Sequence, residues 1–205
     1  MSKSISFKKV PLIVRLTLIA GLMGSYGAFI SIISDFYRAD LKAVSSKDAL
    51  LREDFDAALK LAKEAVELNP EEPYYYRMRA KAYLAKAAAT ETYEFKKEAL
   101  ADLMRSRELN PLNLATLRNN IPLYYYLALT DFSQPSKQAD LDSAYLSFAE
   151  AYFQDLKEIY PNDAGLLVSL AHYEKRLDLL GESKSTLEMI KQLRPALLDW
   201  HPLLQ

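Results

Sequence analysis

Cysteine is absent from this chain of 205 residues, and glycine is scarce, with five residues. Without cysteine the chain can form no disulfide, no thiolate metal site, no thiol nucleophile and no lipidated cysteine anchor. The low glycine content disfavours turn-rich β folds and glycine-rich phosphate loops. An excess of one charge is also missing, because 26 basic residues balance 27 acidic ones and the formal net charge is -1. The composition therefore gives no reason to expect a nucleic-acid partner.

The sequence also lacks the motifs that carry enzyme chemistry. It contains no phosphate loop, no GxSxG motif and no HExxH motif. Its two histidines, His172 and His201, have no second histidine or carboxylate at a metal-ligand helical spacing. Asp140 and Asp142 precede a predicted helix, where a carboxylate caps the backbone N–H groups. We therefore predict that the chain has no catalytic residue, no cofactor and no metal site.

A membrane anchor is predicted near the N terminus. Residues 10–34 are largely apolar, and residues 16–33 carry no charge. At about 1.5 Å per residue, a helix of this length crosses the hydrocarbon core of a bilayer, with Arg15 reaching the headgroups. A cleaved signal peptide is the alternative, but the small-x-small pattern from Ser25 to Gly27 lies in the middle of the apolar run. We therefore favour a single transmembrane helix at residues 10–34.

The charges that flank this segment predict its orientation. Four basic residues precede or enter its start and three follow its end: Lys3, Lys8, Lys9 and Arg15, then Arg38, Lys42 and Lys47. This small excess follows the positive-inside rule. It predicts residues 1–9 in the cytoplasm and the rest of the chain on the extracytoplasmic side, which is the periplasm in a bacterium with two membranes.

Small residues recur along one side of the predicted membrane helix. They are Ala20, Gly24, Ala28 and Ser31. This spacing lets a second helix approach closely, either from another membrane protein or from a second copy of the chain. The simpler alternative is that small residues are common in membrane helices.

A helical pattern punctuated by prolines fills residues 35–197. The apolar face of one helix consists of Phe55, Ala58, Leu59, Ala62, Ala65, Val66 and Leu68. That helix is predicted to end at Asn69-Pro70, because proline lacks an N–H group and restricts the residue before it. Pro73 then opens the next helix, at a position where proline is tolerated.

This pattern resembles the tetratricopeptide repeat (TPR) family. The matching positions are Ala58, Ala62, Ala65 and Pro70 in one second helix, then Tyr76, Ala80 and Tyr83 in the next first helix. Terminal prolines recur at Pro111, Pro161 and Pro195, and only the last interval equals the family's period of about 34 residues. The resemblance implies an all-α fold, in which an N-terminal transmembrane helix is followed by a TPR-like α-solenoid of three to four helix pairs. Residues 198–205 are then a C-terminal tail.

The same resemblance implies a groove lined by the first helix of each pair. The matching positions are Tyr74, Arg77, Lys81, Arg118, Asn119 and His172. Some family members use a similar basic and asparagine set to bind the C-terminal carboxylate of a protein partner. The simpler alternative is a solvated helix face. The tyrosine triplets at residues 74–76 and 124–126 likewise serve either repeat packing or a ligand that stacks on an exposed ring.

The layout is also similar to the C-terminal part of bacterial O-antigen ligase and polymerase-like membrane proteins. The matching stretches are Phe36-Tyr-Arg-Ala-Asp40 and Asn69-Pro-Glu-Glu-Pro-Tyr-Tyr-Tyr-Arg77. The catalytic residues of that family lie in a multi-helix membrane portion that has no counterpart in this sequence, so none is carried over. The resemblance implies a non-enzymatic scaffold that binds a protein in cell-envelope polysaccharide assembly. Two alternatives stay open: the repeat region of an O-antigen ligase-like glycosyltransferase, and a cytoplasm-facing adaptor in secretion or quality control.

Overall fold

The computed structural model describes residues 11–90, 92–130 and 141–204. The predicted cytoplasmic tail at residues 1–9 and the predicted cap Asp140 lie outside them. The described residues are all-α, with no strand and one isolated β-bridge between Leu129 and Leu141, which confirms the predicted class. The helices are α1 (Leu12–Leu51), α2 (Phe55–Leu68), α3 (Pro73–Thr90), α4 (Tyr93–Leu109), α5 (Leu114–Leu127), α6 (Ser143–Ile159), α7 (Ala164–Arg176), α8 (Leu180–Leu193) and α9 (Leu197–Trp200).

Prolines and capping side chains define most helix ends. The helices α2, α4, α6 and α8 each end shortly before a proline, at Pro70, Pro111, Pro161 and Pro195. Four helix starts are capped by a side-chain oxygen that accepts a hydrogen bond from a backbone N–H of the first turn, at Asp54, Asn113, Asp142 and Asp163. The proline breaks and the Asp142 cap agree with the sequence-based expectations.

The first helix joins two different environments without a break. It is 40 residues long, and its first part, residues 12–34, is exposed almost throughout. This helix is long and apolar enough to span a membrane. Its second part buries a side formed by Ala39, Ala43, Ser46 and Ala49. The expected boundary between anchor and repeat region, at residue 35, therefore lies inside a continuous helix.

The helices pack in consecutive pairs, with a second set of contacts between every other helix. The pairs are α1 with α2, α3 with α4, α5 with α6 and α7 with α8, and α1 also contacts α3, α3 contacts α5 and α5 contacts α7. At the start of α3, Tyr75 packs beside Ala43 and its hydroxyl donates to Asp40 Oδ1 at 2.6 Å. The Ser46–Ala58 and Lys42–Glu64 contacts make α1 antiparallel to α2. The Lys63–Tyr83 and Lys86–Asp56 contacts make α3 antiparallel to α2 as well. The third helix therefore runs in the same direction as α1, away from the apolar segment.

Small residues allow the paired helices to approach closely. In the first pair the Ser46 hydroxyl donates to the carbonyl oxygen of Ala58 at 2.8 Å, and in the last pair the Ser183 hydroxyl donates to that of Ala171 at 3.2 Å. A side chain reaches the backbone of a facing helix only where no larger residue separates them. Fully buried alanines line these contacts, among them Ala39, Ala43, Ala58, Ala62, Ala65, Ala80 and Ala82.

Buried charges connect the last two pairs. Lys157 of α6 lies 3.1 Å from the Glu174 carboxylate of α7 and 2.7 Å from the Glu182 carboxylate of α8. Burial on its own lowers the pKa of Lys157, but hydrogen bonds and attraction to the two carboxylates raise it overall. The amine therefore stays charged and holds α6 against both following helices.

A second buried ion pair connects α4 with the start of α6. The Lys96 amine lies 2.7 Å from Asp142 Oδ2 and donates to the carbonyl oxygen of Leu129 at 2.9 Å. Burial raises the pKa of Asp142, but hydrogen bonds from Lys96 and the Tyr93 hydroxyl lower it below its ordinary value overall. Asp142 thus caps α6 and anchors that helix to the preceding pair.

We expect Ala43→Leu to lower the free energy of unfolding by about 1–3 kcal/mol, because a larger side chain overpacks the contact of α1 with α2 and α3. The neighbouring change Val44→Leu is the matched control, because Val44 is 54% exposed, and we expect it to stay within about 0.5 kcal/mol of the unmodified chain. The measurement is thermal unfolding of the full chain in detergent micelles, followed by circular dichroism. Equal effects of the two changes would contradict the packing of α1 described above.

We expect Lys96→Met to lower the free energy of unfolding by about 3 kcal/mol at pH 7, because it leaves the Asp142 carboxylate buried without its cation. The lowered pKa of Asp142 means that the ion pair stabilises the fold above the pKa of the unfolded carboxyl, and that this stabilisation is lost as the pH falls through the folded pKa. The difference in the free energy of unfolding between Lys96→Met and the unmodified chain should therefore become smaller below about pH 4.

Urea unfolding at neutral and acidic pH measures this narrowing. Lys97→Met is the control, because Lys97 is the next residue and is exposed. A loss that is the same at both pH values, or that Lys97→Met reproduces, would refute the assigned role of the Lys96–Asp142 pair.

Candidate functional site

Three of the predicted binding residues lie along one side of α3. Tyr74, Arg77 and Lys81 are separated by three and four positions, which places them one above another on a helix. The Arg77 guanidinium carbon is 5.2 Å from the centre of the Tyr74 ring. Burial lowers the pKa of Arg77 overall, although Tyr74 and Glu72 act in the opposite direction. Lys81 is exposed, so this side of α3 presents a half-buried cation beside a solvated one.

Two further predicted residues, Arg118 and Asn119, are exposed on α5. Arg118 extends towards the start of α7, where its Nη1 atom would lie 3.6 Å from a Cβ added at Gly165. The Asp163 carboxylate would lie 3.4 Å from the same point. Arg118 and Asp163 thus both reach the junction of α5 and α7, and the two distances are those of ordinary van der Waals contacts.

His172 of α7 is engaged by the C-terminal segment. Its Nδ1 atom is 3.1 Å from the carbonyl oxygen of Leu203, and its ring meets the edge of the Tyr173 ring. Burial lowers the pKa of His172. The predicted tail at residues 198–205 begins within α9, and its Leu198 and Leu204 pack back on the domain. The structure thus brings His172 to this C-terminal contact, apart from Tyr74 and Arg77.

The tyrosine triplets are divided between core and surface. Tyr75, Tyr124 and Tyr125 are buried, and Tyr124 stacks on Tyr152 with 4.1 Å between ring centres. Burial raises the pKa of Tyr124 to about 12. Tyr126 remains 40% exposed. Packing within the helical domain therefore accounts for the three buried rings, and Tyr126 is left accessible on α5.

Sequence reasoning misses Arg176, at the end of α7. Its guanidinium carbon is 4.3 Å from the ring centre of Tyr125 and 6.0 Å from that of Tyr173. Arg176 follows His172 by four positions, and this helical spacing is the signal that could have identified it. The sequence does not show the contact of Arg176 with α5, because the number of residues between α5 and α7 does not match a regular repeat.

The predicted small-residue side of the membrane segment lies on the exposed part of α1. Ala20, Gly24, Ala28 and Ser31 are all exposed, and a Cβ added at Gly24 would meet no atom within 4 Å. The helical domain therefore leaves this side open to lipid or to another helix.

Shallow cavities flank the last helices. One of about 600 Å³ lies between α7 and the C-terminal segment, and its lining includes Gly165, Val168, Leu197, Trp200 and His201. Another of about 370 Å³ opens beside the Lys157 ion pairs. Across residues 11–90, 92–130 and 141–204, no three His, Asp or Glu side chains are grouped so that they could hold a metal ion.

Comparison with known proteins adds no assignment. No protein-family model matches the sequence, and no curated protein matches it.

Proposed function

We propose that this chain is a membrane-anchored, TPR-like scaffold that binds a protein partner and performs no chemistry itself. The observation that carries the proposal is the continuity of α1, whose exposed apolar part leads without a break into a part that is packed in the helical domain. Such an anchor confines binding to the plane of the membrane and raises the effective concentration of the scaffold near a membrane partner.

The packing supports the TPR-like part of the proposal. Consecutive helices form pairs, and contacts between α1, α3, α5 and α7 stack one pair on the next. This is the pattern of repeat proteins, in which each unit contacts mainly its neighbours. Buried alanines at the pair crossings and prolines after α2, α4, α6 and α8 agree with the same reading.

The partner is proposed to bind the exposed residues of α3 and α5, with Tyr74, Arg77, Lys81, Arg118 and Asn119 as its contacts. The small residues of the membrane segment, from Ala20 to Ser31, are proposed to contact the helix of a second membrane protein. Similarity to O-antigen ligase-like proteins in two short stretches supports a setting in cell-envelope polysaccharide assembly, with the helical domain on the periplasmic side.

We expect protease added to intact spheroplasts to digest the helical domain, because the proposed topology places it outside the cytoplasmic membrane. Immunoblotting with antibodies against residues 141–204 gives the readout, and detergent-lysed membranes provide the control for cleavage. Protection of the domain until lysis would place it in the cytoplasm and refute the periplasmic setting.

We expect a photoreactive amino acid at position 119 to form a discrete cross-link to a protein in native membranes, because Asn119 is exposed on the proposed binding side. The same amino acid at position 184, which replaces an exposed residue of α8, is the matched control. Mass spectrometry identifies the cross-linked protein. Absence of a cross-link at position 119, or the same adducts at both positions, would contradict the proposed scaffold role.

A further inference from the structure

The near-neutral chain separates its charges between alternate helices. In the odd-numbered helices that follow the anchor, α3 has four basic and no acidic residues, α5 has one basic and no acidic residue, and α7 has two basic and one acidic residue. That acidic residue, Glu174, is buried against Lys157. In each of α2, α4, α6 and α8, acidic residues equal or outnumber basic ones.

Some of these basic residues are already paired with the even-numbered helices. Arg79 binds Asp102 of α4 through two hydrogen bonds of 2.7 and 2.8 Å, and Lys86 pairs with Asp56 of α2. Arg77, Lys81 and Arg118 differ, because none of them forms a salt bridge with any residue that the structure describes. Three cations on adjacent helices thus remain available to an external anion.

One acidic residue near Arg77 and one near Arg118 are engaged as helix caps. Glu72 accepts a hydrogen bond from the Tyr74 N–H at 3.0 Å, and Asp163 accepts one from the Leu166 N–H at 2.7 Å. Both carboxylates lie at helix starts, where the N-terminal dipole favours them. Neither α3 nor α5 contains an acidic residue of its own.

Aromatic rings hold two guanidinium groups in place at this surface. Arg77 lies over the Tyr74 ring and Arg176 over the Tyr125 ring, at 5.2 and 4.3 Å respectively. A guanidinium that rests on a ring keeps its N–H donors at the edge, where they can meet a carboxylate. Arg77 has already lost part of its hydration on folding, because it is partly buried. An incoming anion would therefore displace less water from this guanidinium than from a fully solvated one.

We propose that the basic face, defined as Arg77, Lys81, Arg118 and Arg176, binds an extended acidic segment of a partner protein through the side-chain carboxylates of that segment. This inference rests on the proposed scaffold function and names the chemistry of its partner.

The dimensions of the basic face suit an extended peptide. Packed helices lie about 8–10 Å apart, so α7 is about 16–20 Å from α3 across α5. Arg176 contacts Tyr125, which follows Arg118 on α5, and this adds about 10 Å along the helix axis. The path from Arg77 to Arg176 is therefore about 19–23 Å, which an extended chain of about six or seven residues covers. Carboxylates on alternate residues of such a segment point to the same side and can meet cations on successive helices. Asn119, beside Arg118, offers both a donor and an acceptor to the peptide backbone.

The anionic lipids of the anchoring bilayer and neutral glycans fit these observations less well. The third helix begins beside Asp40, which lies about 9 Å beyond Ser34 along α1. Since the headgroup layer extends only about 5–8 Å from the hydrocarbon core, Arg77 and Lys81 lie beyond the phosphates of the anchoring bilayer. A neutral glycan requires acceptors for its hydroxyl groups, whereas the lysine and arginine side chains of the basic face are donors only.

The test measures peptide binding to the full chain in nanodiscs of neutral lipid by fluorescence anisotropy. The probe is a short labelled peptide of alternating glutamate and alanine, blocked at both ends so that no terminal carboxylate contributes. The triple variant Arg77→Gln, Lys81→Gln, Arg118→Gln is expected to bind it at least about tenfold more weakly than the unmodified chain. Binding to the unmodified chain should also weaken as salt is added.

A second triple variant provides the matched control. Lys60→Gln, Lys97→Gln and Lys184→Gln remove the same charge from exposed positions of α2, α4 and α8, and this variant should bind the peptide as the unmodified chain does. An equal loss in both triple variants, or no binding of the glutamate peptide, would overturn the proposal. Equal binding of a glutamine–alanine peptide would also overturn it.

Competition distinguishes the remaining ligand classes. If vesicles of anionic phospholipid or a sulfated polysaccharide bind the basic face more tightly than the peptide, and the first triple variant abolishes that binding, the ligand is a lipid or a glycan and the proposal fails. The scaffold function is judged separately by the cross-link at position 119. If position 119 cross-links to a partner but the glutamate peptide does not bind, the proposal of an acidic ligand is refuted and the proposed scaffold function still stands.

Discussion

The close approach of α1 to α2 and α3 is the contact on which the arrangement of the whole chain depends. It is possible because the buried side of α1 presents only methyl and hydroxyl groups, with the Ser46 hydroxyl bound directly to the Ala58 backbone. The same helix is largely apolar at its other end. The apolar segment and the first packed helix are therefore parts of one continuous helix, and each later pair is positioned relative to it through contacts between odd-numbered helices.

Local signals in the sequence were sufficient for the helix ends and insufficient for the boundary of the anchor. Prolines and capping carboxylates act within a few residues, so Pro70 and Asp142 could be interpreted directly. At residue 35 the side chains change from apolar to mixed, but residues 35–51 contain no glycine or proline. Polarity changes there while helix propensity does not, and the backbone continues as a helix.

The candidate site was predictable one helix at a time. Helical spacing places Tyr74, Arg77 and Lys81 on one side of α3, but spacing contains no information about partners on distant elements. The contact of Arg176 with Tyr125, like the pairing of Lys96 with Asp142, joins residues far apart in the chain. For the same reason the net charge of -1 concealed how unevenly the charges are distributed between odd and even helices.

In the proposed membrane-anchored arrangement, the continuity of α1 also means that the bilayer affects the position of the helical domain. Past Gly27 the helix contains no glycine and no proline that would act as a joint. Residues 35–51 carry the packed domain about 25 Å beyond the hydrocarbon core, so a change in tilt of about 20° would displace its far end by about 9 Å. Because tilt responds to bilayer thickness, a thicker or thinner membrane would change the height and angle at which the domain meets its surroundings.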